Sequence, residues 1–245
     1  MARLPDGSEI RVLLLDLDDT ILDNRSGVSA AWDFVAELLA PPHGLRAEAI
    51  REEIDRVTDW FWSDPERHRV GRLDLLAARR VILGGVLQAS GVDDPSLVDR
   101  AAAAYQEHRF SSLRLEDRAL ETLAALRAQV GTLGLLTNGA SAAQRAKIDR
   151  FDLWRWFDHV QIEGELGVGK PEADAYQHAV RSLGAAPQET LMAGDDFECD
   201  VLGSLGAGLH AAWVDAHGRG RPRRPAPRDF HVVPSIRELL ELLEG

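Results

Sequence analysis

Residues 12–20 read VLLLDLDDT, a continuous apolar run that passes directly into Asp16, Asp18 and Asp19. An unbroken apolar run of this length fits a strand covered on both faces, as in a parallel sheet, better than a half-exposed strand, which would alternate. A buried strand that ends in clustered like charges is costly unless a function keeps them there. This stretch therefore restricts the chain to a parallel sheet with chemistry at a strand tip.

The remaining sequence supplies partners for that strand. From about 115 onward, apolar runs alternate with helical patterns. Strands are expected at 132–136, 159–162, 190–193, 210–214 and 232–233, and helices near 117–128, 141–150, 172–183, 198–206 and 235–243. Strands separated by helices imply a parallel α/β sheet with right-handed crossovers. Residues 24–111 differ. They carry helical periodicity near 27–40, 46–62, 72–90 and 96–110, broken at Pro41-Pro42, Pro65 and Asp94-Pro95. The expected organisation is a Rossmann-like α/β core from 1–23 plus 112–245, with an all-helical domain, 24–111, inserted directly after the acidic strand tip.

Composition narrows the function. The 245 residues carry a net charge of −12, which argues against nonspecific binding to nucleic acid or anionic membrane. An anionic small molecule stays allowed, because a local pocket or metal ion outweighs the global sign. Cys199 is the single cysteine, so no internal disulfide forms and a reducing compartment fits. No stretch approaches the ~20 apolar residues of a membrane span, and MARLPDGSEIRV lacks the apolar core of a secretory signal. The expectation is a cytoplasmic protein, monomer or homodimer. The segment 217–228, HGRGRPRRPAPR, has five Arg and three Pro and reads as a solvated connection rather than an anion-binding loop.

Ligands of open parallel sheets bind beyond the carboxyl ends of the strands. Those ends carry Asp16, Asp18, Asp19 and Thr20; then Thr137, Asn138 and Gly139; then, after GELGVG, Lys170 and Pro171; then Gly194, Asp195 and Asp196, with Asp200 one turn later. Carboxylates from two strands suit Mg²⁺, which takes oxygen ligands and keeps waters. No Cys or His cluster offers a zinc site. A metal beside a hydroxyl, an amide and an ammonium makes a cradle for a phosphoryl group. One carboxylate is then a nucleophile and a second, two positions on, a general acid and base.

In order and spacing, DLDDT, LLTNG, GK-P and GDDFECD resemble the motifs of the haloacid dehalogenase superfamily, and the helical insertion resembles its C1-type cap. The resemblance covers essentially the whole chain. It implies that Asp16 accepts the phosphoryl group and binds Mg²⁺, and that Asp18 is the acid/base with its backbone carbonyl on the metal. It implies that Thr137, with Asn138 and Gly139 beside it, binds phosphoryl oxygens. Lys170 steadies the nucleophile and the transferring group, and Asp195 binds the metal. The second acid of the last motif is Asp196 or Asp200; Asp19 itself reads as a turn residue and Thr20 as a supporting group. Relatives that cleave carbon–halogen or C–P bonds lack an acid at the position of Asp18, so the resemblance implies a phosphate ester with an oxygen leaving group. The expected activity is Mg²⁺-dependent hydrolysis of small phosphorylated metabolites bound between core and cap. The alternatives are a phosphomutase with the same motifs and a catalytically silent binding protein on this fold. In the helical block, Trp60 and Trp62 read as core or packing residues, and His68, Arg69, Arg72, Arg79 and Arg80 as a mostly solvated face.

Overall fold

The computed structural model describes residues 2–216, 218–220, 225–226 and 228–244. The Arg- and Pro-rich segment falls partly beyond these, since 217, 221–224 and 227 lie outside the described residues. The chain divides into two compact units, Met1–Asp23 with Arg114–Gly245, and Asn24–Leu113.

The first unit opens with two short strands, β1 (Ala2–Arg3) and β2 (Glu9–Ile10), paired antiparallel. The acidic stretch follows β3 (Val12–Leu15), and β4 (Leu22–Asp23) pairs antiparallel with β5 (Arg114–Leu115). The main sheet adds β6 (Thr132–Thr137), β7 (His159–Ile162), β8 (Thr190–Gly194), β9 (His210–Val214) and β10 (His231–Val233). Its order is β10-β9-β8-β3-β6-β7, with every neighbouring pair parallel.

Both faces of this sheet are covered, which is why β3 reads as apolar throughout. Side chains alternate across a strand. Leu13 and Leu15 join one cluster with Leu133, Leu135, Leu191 and Ala193, packed against Leu123 and Leu126 of the helix Ala119–Val130. Val12 and Leu14 join the opposite cluster with Leu136 and Met192, packed against Tyr176, Ala179 and Val180 of the helix Ala173–Ser182. Register then positions the tips. Leu15 pairs with Leu135 on one side and Ala193 on the other, and the Asp16 N–H continues the ladder to the Ala193 carbonyl at 3.0 Å. The residues that follow these three strands therefore emerge side by side.

The second unit is helical: α1 (Gly27–Leu39), α2 (Ala47–Trp62), α3 (Pro65–Gly71), α4 (Leu75–Ala89) and α5 (Pro95–Ser112). Its core gathers Trp32, Val35, Leu39, Ile54, Phe61, Leu83, Val86 and Tyr105 among others. Two starts are set by an Asp-Pro pair. Asp64 accepts the Arg67 N–H and Asp94 accepts those of Ser96 and Leu97, while each proline occupies a first-turn position that needs no donor. The helix expected at 72–90 is α4, and a further short helix, α3, precedes it where none is expected. Gly71 ends α3 packed against the Phe61 ring, and the Asp74 side chain accepts the Ala77 N–H to start α4 afresh. Trp62 packs against this core while Trp60 is exposed and carries the Arg67 guanidinium 4.1 Å over its ring.

Candidate active site

Lys170 is the centre of the site. It is 2% exposed, and its Nζ lies 2.7 Å from Asp16 Oδ1 and 2.6 Å from Asp200 Oδ1. Burial alone would lower its affinity for a proton, but the two carboxylates outweigh that and hold the ammonium well above its ordinary value. Asp16 moves the other way. Burial pushes it up to about 7, with Lys170 opposing and Asp200 adding to the rise. Asp200, also raised by burial, is opposed by the same lysine. Two buried carboxylates thus share one cation, which leaves an uncompensated negative charge.

Local structure explains how Asp200 reaches this position. The sequence pattern predicts an ordinary helix over 198–206. The structure has a π-turn, Phe197–Gly203, followed by a short helical turn, Ser204–Gly206. Asp196 caps it by accepting the Cys199 N–H at 2.8 Å, and Asp200 Oδ2 accepts the Asp196 N–H at 2.9 Å. Such wide turns are rare and often lie at functional sites, and here Asp200 faces inward to Lys170. The two acids that the sequence left undivided so have distinct places: Asp196 caps the turn, and Asp200 is fully buried on the lysine.

Gly194 makes the approach possible. A Cβ on Gly194 would overlap the Asp200 carboxylate and stand 2.8 Å from Asp16 Cβ. Gly194→Ala is therefore expected to push Asp200 and Asp16 apart, lowering stability by about 1–3 kcal/mol. Thermal melting with an activity assay checks this, and an unchanged pair would show that the tip yields without cost.

Asp195 is held by its backbone. Its N–H donates to Thr20 Oγ1 at 3.1 Å, and its carbonyl accepts from Trp213 Nε1 at 2.8 Å. Asp16, Asp195 and Asp200 each offer an oxygen, and these lie within 4.8 Å of one another. A donor set of carboxylate oxygens alone, carrying excess negative charge around one lysine, fits a hard divalent cation.

The tip of β6 is tied to the loop of Lys170. Asn138 Nδ2 donates to the Lys170 carbonyl at 2.7 Å, and the Lys170 N–H donates to Asn138 Oδ1 at 2.8 Å. The Asn138 side chain thus serves the lysine backbone. Gly139, at φ 115°, donates its N–H to Glu163 Oε2 at 2.9 Å, in a left-handed conformation that favours glycine. The Lys170–Pro171 peptide is cis.

Asp18 points to partners that sequence reasoning did not name. Lys147 Nζ lies 2.8 Å from its Oδ1 and 2.7 Å from its Oδ2, and Gln144 Nε2 donates to its Oδ2 at 3.0 Å. The same amide donates to Thr137 Oγ1 at 2.6 Å. Gln144 and Lys147 stand one turn apart on the helix Ser141–Arg150, which follows the β6 tip. Gln144 is buried on the same helix face as Ile148, a placement that the sequence does not mark. Glu163, buried behind Gly139 and Gly169, is the third such residue.

Comparison with known proteins agrees with this architecture. A family model described as haloacid dehalogenase-like hydrolase matches residues 10–208. A phosphoserine phosphatase from Thermus thermophilus is 33% identical over 252 residues, covering 94% of this chain and 98% of its own. An N-acylneuraminate-9-phosphatase from Mus musculus is 34% identical over 241 residues, covering 97% and 95%. The fold resembles that of YfnB, a HAD-hydrolase from Bacillus subtilis solved bound to magnesium, with a TM-score of 0.75 at 21% identity over 97% of this chain and 100% of that one. The chain belongs to the haloacid dehalogenase-like hydrolases. Among the described residues no helix is long and apolar enough to cross a membrane.

Proposed function

We propose that the chain is a Mg²⁺-dependent phosphatase of small phosphorylated metabolites, working through an aspartyl-phosphate on Asp16. The observation that carries this reading is the buried Asp16 carboxylate held by Lys170 beside Asp195 and Asp200. The names of the relatives, a phosphoserine phosphatase and an N-acylneuraminate-9-phosphatase, support a small phosphate monoester as substrate.

Asp16, Asp195 and the backbone carbonyl of Asp18 would hold Mg²⁺, with Asp200 adjacent. Bound there, the cation supplies positive charge that offsets the clustered carboxylates and the incoming phosphoryl oxygens. A carboxylate oxygen of Asp16 attacks phosphorus, forming an acyl-phosphate bond as the ester P–O bond breaks. Asp18 gives its proton to the departing alcohol oxygen. Asp18 then takes a proton from water as that water attacks phosphorus, which breaks the bond to Asp16 and frees inorganic phosphate. Thr137 donates its hydroxyl to a phosphoryl oxygen, and Lys170 offsets charge on Asp16 and the transferring group. The helical unit Asn24–Leu113 we assign the role of a substrate-selecting cap, on its resemblance to the C1-type insertion.

The test is phosphate release from a panel of phosphorylated amino acids, sugars and nucleotides, with and without EDTA. Turnover is expected with small monoesters, lost on chelation and restored by Mg²⁺. Mg²⁺ at about 100 times its Kd should also stabilise the fold by about 2.7 kcal/mol, a rise in melting temperature that Asp195→Asn removes. Full turnover in EDTA would overturn the metal assignment, and no turnover on any phosphoester would overturn the reading.

A further inference from the structure

Resting on that phosphatase reading, we propose that Lys147 and Gln144 are positioning residues that hold the acid/base Asp18 and the phosphoryl-binding Thr137 as one hydrogen-bonded unit. Asp18 lies beyond the end of β3 at Leu15, and its carboxylate is placed by side chains from another element. Lys147 supplies the missing constraint, since its ammonium meets both carboxylate oxygens at 2.7 and 2.8 Å. The pair is largely shielded, with side chains 12% and 25% exposed, so solvent screens it less than a surface ion pair.

Gln144 sets the orientation of the second partner. Its amide lies against the Asp18 carboxylate, so the nitrogen and not the oxygen must face Asp18, and the other amide hydrogen goes to Thr137 Oγ1. Thr137 therefore accepts on that side. Its other neighbour is the Asn138 carbonyl at 3.4 Å, a long contact that leaves the hydroxyl hydrogen to turn toward a phosphoryl oxygen. One helix face thus fixes a proton-transfer group and a phosphate donor together. Both residues act through Asp18 and Thr137, so their effect should be on turnover.

The experiment compares Lys147→Met and Gln144→Glu with the parent enzyme on an alkyl phosphomonoester, alone and on an Asp18→Asn background. Asp16→Asn is the control. Each single variant should lower kcat by roughly 10- to 100-fold through misplacement of Asp18. KM should stay within about 2-fold, and on Asp18→Asn, assayed with an activated aryl phosphate, Lys147→Met should add less than about 2-fold. Lys147→Arg should recover part of the loss. A parental kcat in Lys147→Met overturns the proposal, as does a full multiplicative loss on the Asp18→Asn background. Lys147→Gln carries the same comparison if the Met variant does not fold. Turnover in Asp16→Asn would instead defeat the underlying aspartyl-phosphate mechanism, and no turnover by the parent on any phosphoester would defeat the phosphatase reading, whatever Lys147 does.

Discussion

Replacing Asp16 by Asn is expected to abolish phosphate release while leaving the protein folded. The carboxylate is the bond-forming group, and an amide oxygen cannot take its place, so the fall in kcat should be roughly 10³- to 10⁶-fold. The change is nearly isosteric. Asn retains an acceptor for Lys170 Nζ, which stays paired with Asp200 at 2.6 Å. It also removes a carboxylate whose ionised form burial and the neighbouring Asp200 both disfavour. The melting temperature should therefore hold or rise without added metal. The two readings together isolate chemistry from folding. Retained Mg²⁺-dependent turnover in a folded variant would show that another group attacks phosphorus.

Much of the core and the site is legible in the sequence because the physical signals are strong there. β3, β6, β8 and β9 are buried on both faces, so each is an apolar run without alternation, and the polar residues that follow mark the tips. Asp16, Lys170, Asp195 and Asp200, separated by up to 184 positions, come together because parallel register aligns those tips. Other features leave weaker traces. β1, β2, β4 and β5 are two residues each, too short for any period to be read. The π-turn at Phe197–Gly203 reads as an ordinary helix in the sequence, and the contacts of Asp200 with Lys170 and the Asp196 N–H appear only in the fold. The helix Pro65–Gly71 has only seven residues, too few for a helical period to be read. Gln144 and Lys147 were hidden for a related reason. On the helix they read as ordinary polar residues, and only the fold places them on Thr137 and Asp18.

Lys170→Met is the second large effect, and it should be one of stability as well as activity. Methionine fills much the same space, so the loss is of charge. Asp16 and Asp200, both buried, then face each other without the cation they share. Removing one partner of a buried ion pair typically costs about 4 kcal/mol. At ~2–4 °C per kcal/mol for a chain of this size, the melting temperature falls by roughly 10 °C. The deficit depends on pH with a definite sign. Burial already raises both acids, and Lys170 is the group that opposes the rise. Without it their folded values lie higher still above the unfolded value of 3.8. A carboxyl raised on folding contributes stability at low pH that is lost as pH climbs through its folded value. The variant should thus come closest to the parent in mildly acidic buffer and lag furthest in mildly alkaline buffer, both in EDTA. Asp200→Asn added to Lys170→Met removes one of the two stranded charges and should recover part of the melting temperature, a coupling that independent sites would not show. Equal melting of Lys170→Met and parent across that range would mean that the lysine does not offset these carboxylates, and the electrostatic account of the site would fail with it.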